Sequence, residues 1–451
     1  MLKSLDTKLA EIRANRSTRA FLLADAKDAD MAFGVRAPGP RAYLSSRGAR
    51  SAQFSPEVWT RDEFGQRNLP EFLDIIREVV RQGVVDIMLM SASINEQLSI
   101  KEELFRDSHV TPAARANDTT DVWVVRHGSY TKEPSHPFRS ATIDHIQCGK
   151  AECDRSGETF PGANLGLYSI TFVNELEQDL AALQAFKEFR LEAERKKFRY
   201  FLEVFDPNVS SGVPKEKLGE YINDSILRNL AGVTEAGRPA FLKIAYHGPR
   251  FMEELAQYDP NLVVGILGGS AGTTYDAFRL IHDAQKYGAR VALFGRKINN
   301  AEHQLAFIQM LRMITDGRIN PEEAVRAYHG VLQACGIKPR LTLEKDLELT
   351  DQSMSYDSTG TGGGGRTVVQ VGGTRSPSPS PAARPASAAP AKPATSGAVA
   401  TTPPGAPAPS APSSTAQAWP VRSDGSPDFQ RMTSAQRNAY DRDRLHRRFA
   451  V

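Results

Sequence analysis

The chain has 451 residues, 40% of them hydrophobic and 24% charged, with 56 Lys and Arg against 53 Asp and Glu, the balance of an ordinary globular protein. Residues 358–451 hold eleven basic and four acidic groups, leaving 45 basic and 49 acidic groups before them, so the body lacks the concentrated cationic surface that nucleic acid demands. No run of about 18 apolar residues predicts a membrane span, and three cysteines are too few to staple a chain this long, so a cytoplasmic protein is expected.

The first twenty residues alternate charge with isolated apolar side chains and do not read as a secretory signal. FLLAD (21–25) is the first short apolar run. A helix is predicted over LPEFLDIIREVVRQG (69–83), followed by the run VVDIMLM (84–90). DVWVVRHG (121–128) reads as the third strand, and a long irregular insertion near 128–163 separates it from LGLYSITF (165–172). A helix over Glu175 to Lys197 leads to RYFLEVFD (199–206), and another over Lys217 to Leu230 leads to AFLKIAYHG (240–248). LVVGILGG (262–269), a helix from Thr274 to Tyr287 and RVALFG (290–295) complete the series. Eight apolar runs separated by amphipathic helices predict parallel strands covered on both faces, and thus a (β/α)8 TIM barrel spanning residues 1–355. An open doubly wound sheet is the alternative, but the G-x-G-x-x-G turn usual in that fold is absent after the first run.

From Ser358 to Ser423 there is no acidic residue, and twelve of the 28 prolines fall between Pro377 and Pro420. Such a segment buries too little apolar surface to offset the entropy of ordering it, which predicts a disordered Gly-, Pro-, Ala- and Ser-rich linker over 356–426. Residues 427–451 place Phe429, Met432, Tyr440, Leu445 and Phe449 among arginines and could form a short basic amphipathic helix. The partner of this tail and the oligomeric state of the chain stay open.

In a barrel, chemistry sits at the C-terminal ends of the strands, so charged residues inside apolar runs carry the information. Period-2 alternation in AFLKIAYHG turns Leu242 and Ile244 toward the helices and Lys243 inward. An ammonium there loses hydration, and its pKa falls unless it is paired, which supplies the neutral amine that attacks carbonyls. A Lys paired with a buried carboxylate for packing alone is the competing expectation. One strand earlier, Glu203 shares the phase of Phe201 and Phe205 and would stand beside Lys243, positioned to relay protons. Asp25, in phase with Phe21 and Leu23, reads either as a second acid/base or as the cap of the next turn. Gly268, Gly269 and Gly272 after the seventh run, and Gly295 with Arg296 after the eighth, are placed to hold a phosphate. Arg126 and His127, at the end of the third run, and Lys27 are candidate substrate contacts.

These residues resemble those of the class I, Schiff-base-forming aldolase superfamily, which holds the deoxyribose-phosphate, tagatose-bisphosphate and archaeal-type fructose-bisphosphate aldolases. LKIAYHGPRFMEEL is similar to the segment that carries the family's Schiff-base lysine, and the resemblance implies Lys243 as nucleophile. VVGILGGSAGTTYDAFRLIHDAQKYGARVALFGRKI resembles its phosphate-binding end, which implies phosphate binding by Gly268, Gly269, Ser270, Gly295 and Arg296; FLEVF resembles its acid/base strand, and LLAD the segment with its first-strand aspartate. The implied function is cleavage or formation of a C–C bond in a phosphorylated ketose or related sugar, with Glu203, Asp25 and Tyr246 moving protons and no metal or cofactor required. LGLYSITF departs from the family by lacking a fourth-strand lysine, and the first run continues D-A-K-D. A phosphosugar-binding barrel without turnover, or a transferase or isomerase using the same imine, is therefore the rival expectation. His145, Cys148 and Cys153 form an H-x2-C-x4-C run that lacks the fourth ligand of a structural zinc site.

Overall fold

In the computed structural model of the protein, residues 2–40, 66–157, 159–268, 272–350 and most of 419–440 are described. The chain divides into two compact units, the larger holding the described residues up to 350. Its strands are β1 Leu22–Lys27, β2 Ile87–Met90, β3 Thr111–Arg115, β4 Leu165–Thr171, β5 Arg199–Phe205, β6 Leu242–Ile244, β7 Gly265–Leu267 and β8 Val291–Phe294. They pair in parallel in chain order, and β8 returns to β1 to close the barrel, as the alternation of apolar runs and helices predicts.

Local chemistry sets the helix ends. Asn68 and Glu71 form a reciprocal capping box at the start of the helix Leu69–Gln82, which stops at Gly83 in the left-handed region (φ 68°). Thr273 with Asp276, and Asn320 with Glu323, cap the helices Thr274–Lys286 and Pro321–Ala334 in the same way. The short β6 strand leads through Gly248, at φ 101°, into the helix Pro249–Tyr258.

Two apolar clusters define the two faces of the sheet. Leu22, Ala24, Ile87, Leu89, Ala113, Leu165, Leu167, Phe201, Phe241, Val291 and Leu293 fill the interior, and Leu5, Leu9 and Ile12 of the helix Ser4–Ala14 join them from the N-terminal end. Phe21, Leu23, Met88, Tyr168, Leu202, Leu242, Ile244 and Phe294 face the surrounding helices.

The third strand differs from expectation. It is Thr111–Arg115, whereas residues 121–128 form a 3-10 turn and a loop with Trp123, Arg126 and His127 exposed. Pro112 cannot donate to a strand ladder and its neighbours are small alanines, so the strand carries little β signal. Val124 and Val125 instead lie in the loop before a turn in which His127 adopts φ 67°. The connection to β4 holds a two-stranded ribbon, Asp118–Thr119 against Pro137–Phe138, and the helix Ile143–Cys148. There Cys148 and Cys153 are joined as a disulfide, and the His145 ring caps Thr142.

In the smaller unit, Trp419 and Phe429 each meet the Tyr440 ring edge-on at 5.2 Å, and Met432 is buried. Its helical residues are 435–437 and 439–440. The linker expected over 356–426 lies outside the described residues except for Trp419–Ser423.

Candidate active site

Polar side chains replace the apolar interior near the C-terminal ends of β3 to β6. Register sets them side by side: Ser169 of β4 is the partner of Glu203 on β5, which is the partner of Lys243 on β6. Lys243 Nζ lies 2.5 Å from Glu203 Oε1, with 7% of the lysine and 1% of the glutamate exposed. The other carboxylate oxygen, Oε2, accepts from the Ser169 hydroxyl at 2.8 Å and stands 3.7 Å from Arg115 Nη2. Arg115 also donates to Ser169 Oγ at 3.2 Å and, through Nε, to Asp28 Oδ2 at 2.6 Å. Asn117 fixes the β4 backbone from both sides, accepting from the Ser169 amide at 2.7 Å and donating to its carbonyl at 2.9 Å.

The array from Asp28 through Arg115, Ser169 and Glu203 to Lys243 is therefore a connected chain of buried, mutually satisfied groups. That is the condition under which charges are tolerated at such depth. Burial works against the Arg115 charge, but Asp28, Glu203 and Asp118 more than offset it and hold the guanidinium protonated. Burial pushes the Asp118 and Asp30 carboxyls up to about 6; Arg115 and Ser91 respectively oppose the rise, and Asp28 adds to both.

Two expected residues lie elsewhere. Asp25 and Lys27 belong to the opposite face of β1 from Leu22 and Ala24, so they sit between barrel and helices. Both are fully buried; their charged atoms are 3.1 Å apart and Lys27 Nζ donates to Gln304 Oε1 at 3.0 Å. Burial pushes the Asp25 carboxyl up and the Lys27 ammonium down, each partly countered by the other. Asp28, one residue beyond β1, takes the inward position instead. Tyr246 packs in the helix-side cluster and not in the interior. Arg126 and His127 are exposed in a turn of the connection that follows β3, and not at the end of a strand.

At the far side of the mouth, Gly268 closely follows β7; a Cβ there would come 2.5 Å from the Phe294 ring, so the glycine serves close strand packing. Gly269 and Ser270 lie outside the described residues. Gly295 stands at the end of β8 against Ala26, and Arg296 follows it half-buried. The Arg296 guanidinium is driven down by burial, with no opposing carboxylate among the described residues.

Sequence reasoning missed Arg115, Asp28 and Ser169. Arg115 sits in a weak strand. Asp28 belongs to the same D-A-K-D segment as Asp25, three residues on. Ser169 shares the phase of Leu165 and Leu167, and that phase was the available signal.

This is a (β/α)8 barrel. Among solved structures the chain is similar to an archaeal fructose 1,6-bisphosphate aldolase, at 15% identity and a TM-score of 0.46, over 69% of this chain and 99% of that one. The structure of an archaeal fructose-1,6-bisphosphate aldolase with its catalytic lysine bound to the carbinolamine intermediate gives the same figures. Orotidine 5'-phosphate decarboxylase from Pyrococcus horikoshii is similar at 13% identity and a TM-score of 0.32, over 55% of this chain and 94% of that one. No family model matches the sequence, and no curated protein does. The likeness is one of fold.

Proposed function

We propose that the protein is a class I aldolase-type lyase that breaks or forms a C–C bond in a phosphorylated ketose or related sugar through an imine on Lys243. The observation that carries this reading is the 2.5 Å contact between a nearly buried lysine and a buried glutamate inside the barrel. A lysine there has one carboxylate within proton-transfer distance and little water around it. Transfer of a proton from Nζ to Oε1 frees the lone pair, which attacks the substrate ketone and forms the N–C bond of a carbinolamine. Glu203 then returns the proton to the departing hydroxyl, water leaves, and the protonated imine withdraws electrons from the bond beta to it. That bond cleaves as the neighbouring hydroxyl passes its proton to the Glu203 carboxylate, releasing an aldehyde and leaving an enamine on Lys243. Arg296, half-buried and without a carboxylate partner among the described residues, supports the reading that the substrate carries a phosphate.

The absence from β4 of the lysine that several members of the resembled superfamily carry on that strand favours the second reading of a phosphosugar-binding barrel without turnover. Aldehyde release from a panel of phosphorylated ketoses, followed by coupled NADH oxidation, separates the two. The lyase reading expects turnover in the wild type and none in Lys243→Ala; binding without turnover across the panel would support the second.

A further inference from the structure

We propose that Arg115 is a positioning residue for Glu203, holding it as the proton acceptor of Lys243 by a fixed charge delivered from β3; this rests on the lyase reading above. The two oxygens of Glu203 have divided duties. Oε1 faces the amine, and Oε2 is occupied by the Ser169 hydroxyl and lies 3.7 Å from the guanidinium. Arg115 is held in turn by Asp28 at 2.6 Å and contacts Ser169 at 3.2 Å, so its approach to Glu203 is set by two other groups.

Consider the moment after Nζ has given up its proton. Lys243 is neutral, and a carboxylate with no cation nearby in a buried site would hold the returned proton too strongly to release it. Arg115 remains charged throughout, because Asp28 and Glu203 flank it and its proton is not one that a carboxylate can take. It therefore favours the anionic form of Glu203 at every step without taking part in transfer. The charged groups facing Glu203 are Lys243 from β6 and Arg115 from β3; behind Arg115 stand Asp28 from the loop after β1 and Asp118 after β3.

The test is the pH dependence of imine trapping on full-length protein, using dihydroxyacetone phosphate and cyanoborohydride, with the adduct on Lys243 quantified by peptide mass. In Arg115→Met the acid limb of the profile is expected to move to higher pH, as removing a nearby cation raises a carboxylate's proton affinity. Arg115→Lys, which keeps the charge, is expected to restore most of that displacement. Because Arg115→Met strands Asp28, the double variant Arg115→Met/Asp28→Asn, which removes the ion pair together, provides a second carrier of the same displacement. Profiles that are unmoved in both variants, or merely scaled down at every pH alike in the Met and Lys variants, would overturn the proposal. So would an Asp118→Asn profile displaced as far as that of Arg115→Met, since the limb would then belong to Asp118. Failure of the wild type to form any adduct would overturn the lyase reading itself, a result distinct from all of these.

Discussion

Glu203 and Lys243 are register partners on adjacent parallel strands, and their charged atoms meet at 2.5 Å on the inner face of the barrel. Backbone pairing thus fixes the donor and acceptor of the proposed proton transfer before any side-chain rotamer is chosen. A Glu203→Gln variant keeps the shape and the Ser169 contact but cannot accept the amine proton. The rate of adduct formation on Lys243 is expected to fall about 10²–10⁴-fold, with a lowered thermal unfolding midpoint, because the buried Lys243 and Arg115 lose their shared anion. Trapping at the wild-type rate would remove Glu203 from the reaction.

Arg296 offers a separate test of the anion site. A half-buried guanidinium without a carboxylate partner among the described residues costs stability in the free protein, so Arg296→Met is expected to unfold at the same temperature or higher. Inorganic phosphate should stabilise the wild type with the logarithm of its concentration above Kd, by about 2.7 kcal/mol at a hundredfold excess. It should leave Arg296→Met unmoved. Equal stabilisation of both proteins would place the anion elsewhere.

Asp118 gives stability a pH dependence of known sign. Burial raises its carboxyl from 3.8 to about 6, so between those values the folded state binds more protons than the unfolded one and stability falls as pH rises. The contribution is complete below about pH 4 and lost above about 6, amounting to at most about 3 kcal/mol by the equivalence of pKa and free energy. Asp118→Asn should therefore unfold at a higher temperature than wild type at pH 7.5, with the gap closing at pH 4.5. A gap of constant size would refute the linkage.

Asp86 acts in the opposite sense at the start of the barrel. Its carboxylate meets Lys8 at 2.8 Å and Arg312 at 2.6 Å, and accepts from the Leu23 amide at 2.9 Å. Burial opposes the charge, but Arg312 and Lys8 prevail and hold the carboxyl below its ordinary value. This stability is present above about pH 4 and lost as acid protonates the group. Asp86→Ala leaves two cations near the barrel floor without their anion, and a loss of about 3–5 kcal/mol is expected in denaturant unfolding. A loss below about 1 kcal/mol would show that the cations find other partners.

The barrel was legible because both faces of a parallel strand are apolar and its helices alternate with it, a pattern that survives misreading one element. The same property hid part of the site. On β1 the helix-facing Phe21 and Leu23 are as apolar as the inward Leu22 and Ala24, so phase alone could not decide between Asp25 and Asp28. On β6 the phase expected from Leu242 and Ile244 is the one the structure has. Arg115 stayed hidden because its strand is built from Pro and Ala, whose fit comes from tertiary packing and not from local preference.

The most direct test of the account is the covalent state of Lys243 after incubation with dihydroxyacetone phosphate and borohydride. The account predicts one substrate-sized mass increment per chain, mapped to the peptide holding Lys243 and absent from Lys243→Ala. An unmodified Lys243 under conditions where the same phosphosugar raises the unfolding temperature would contradict it.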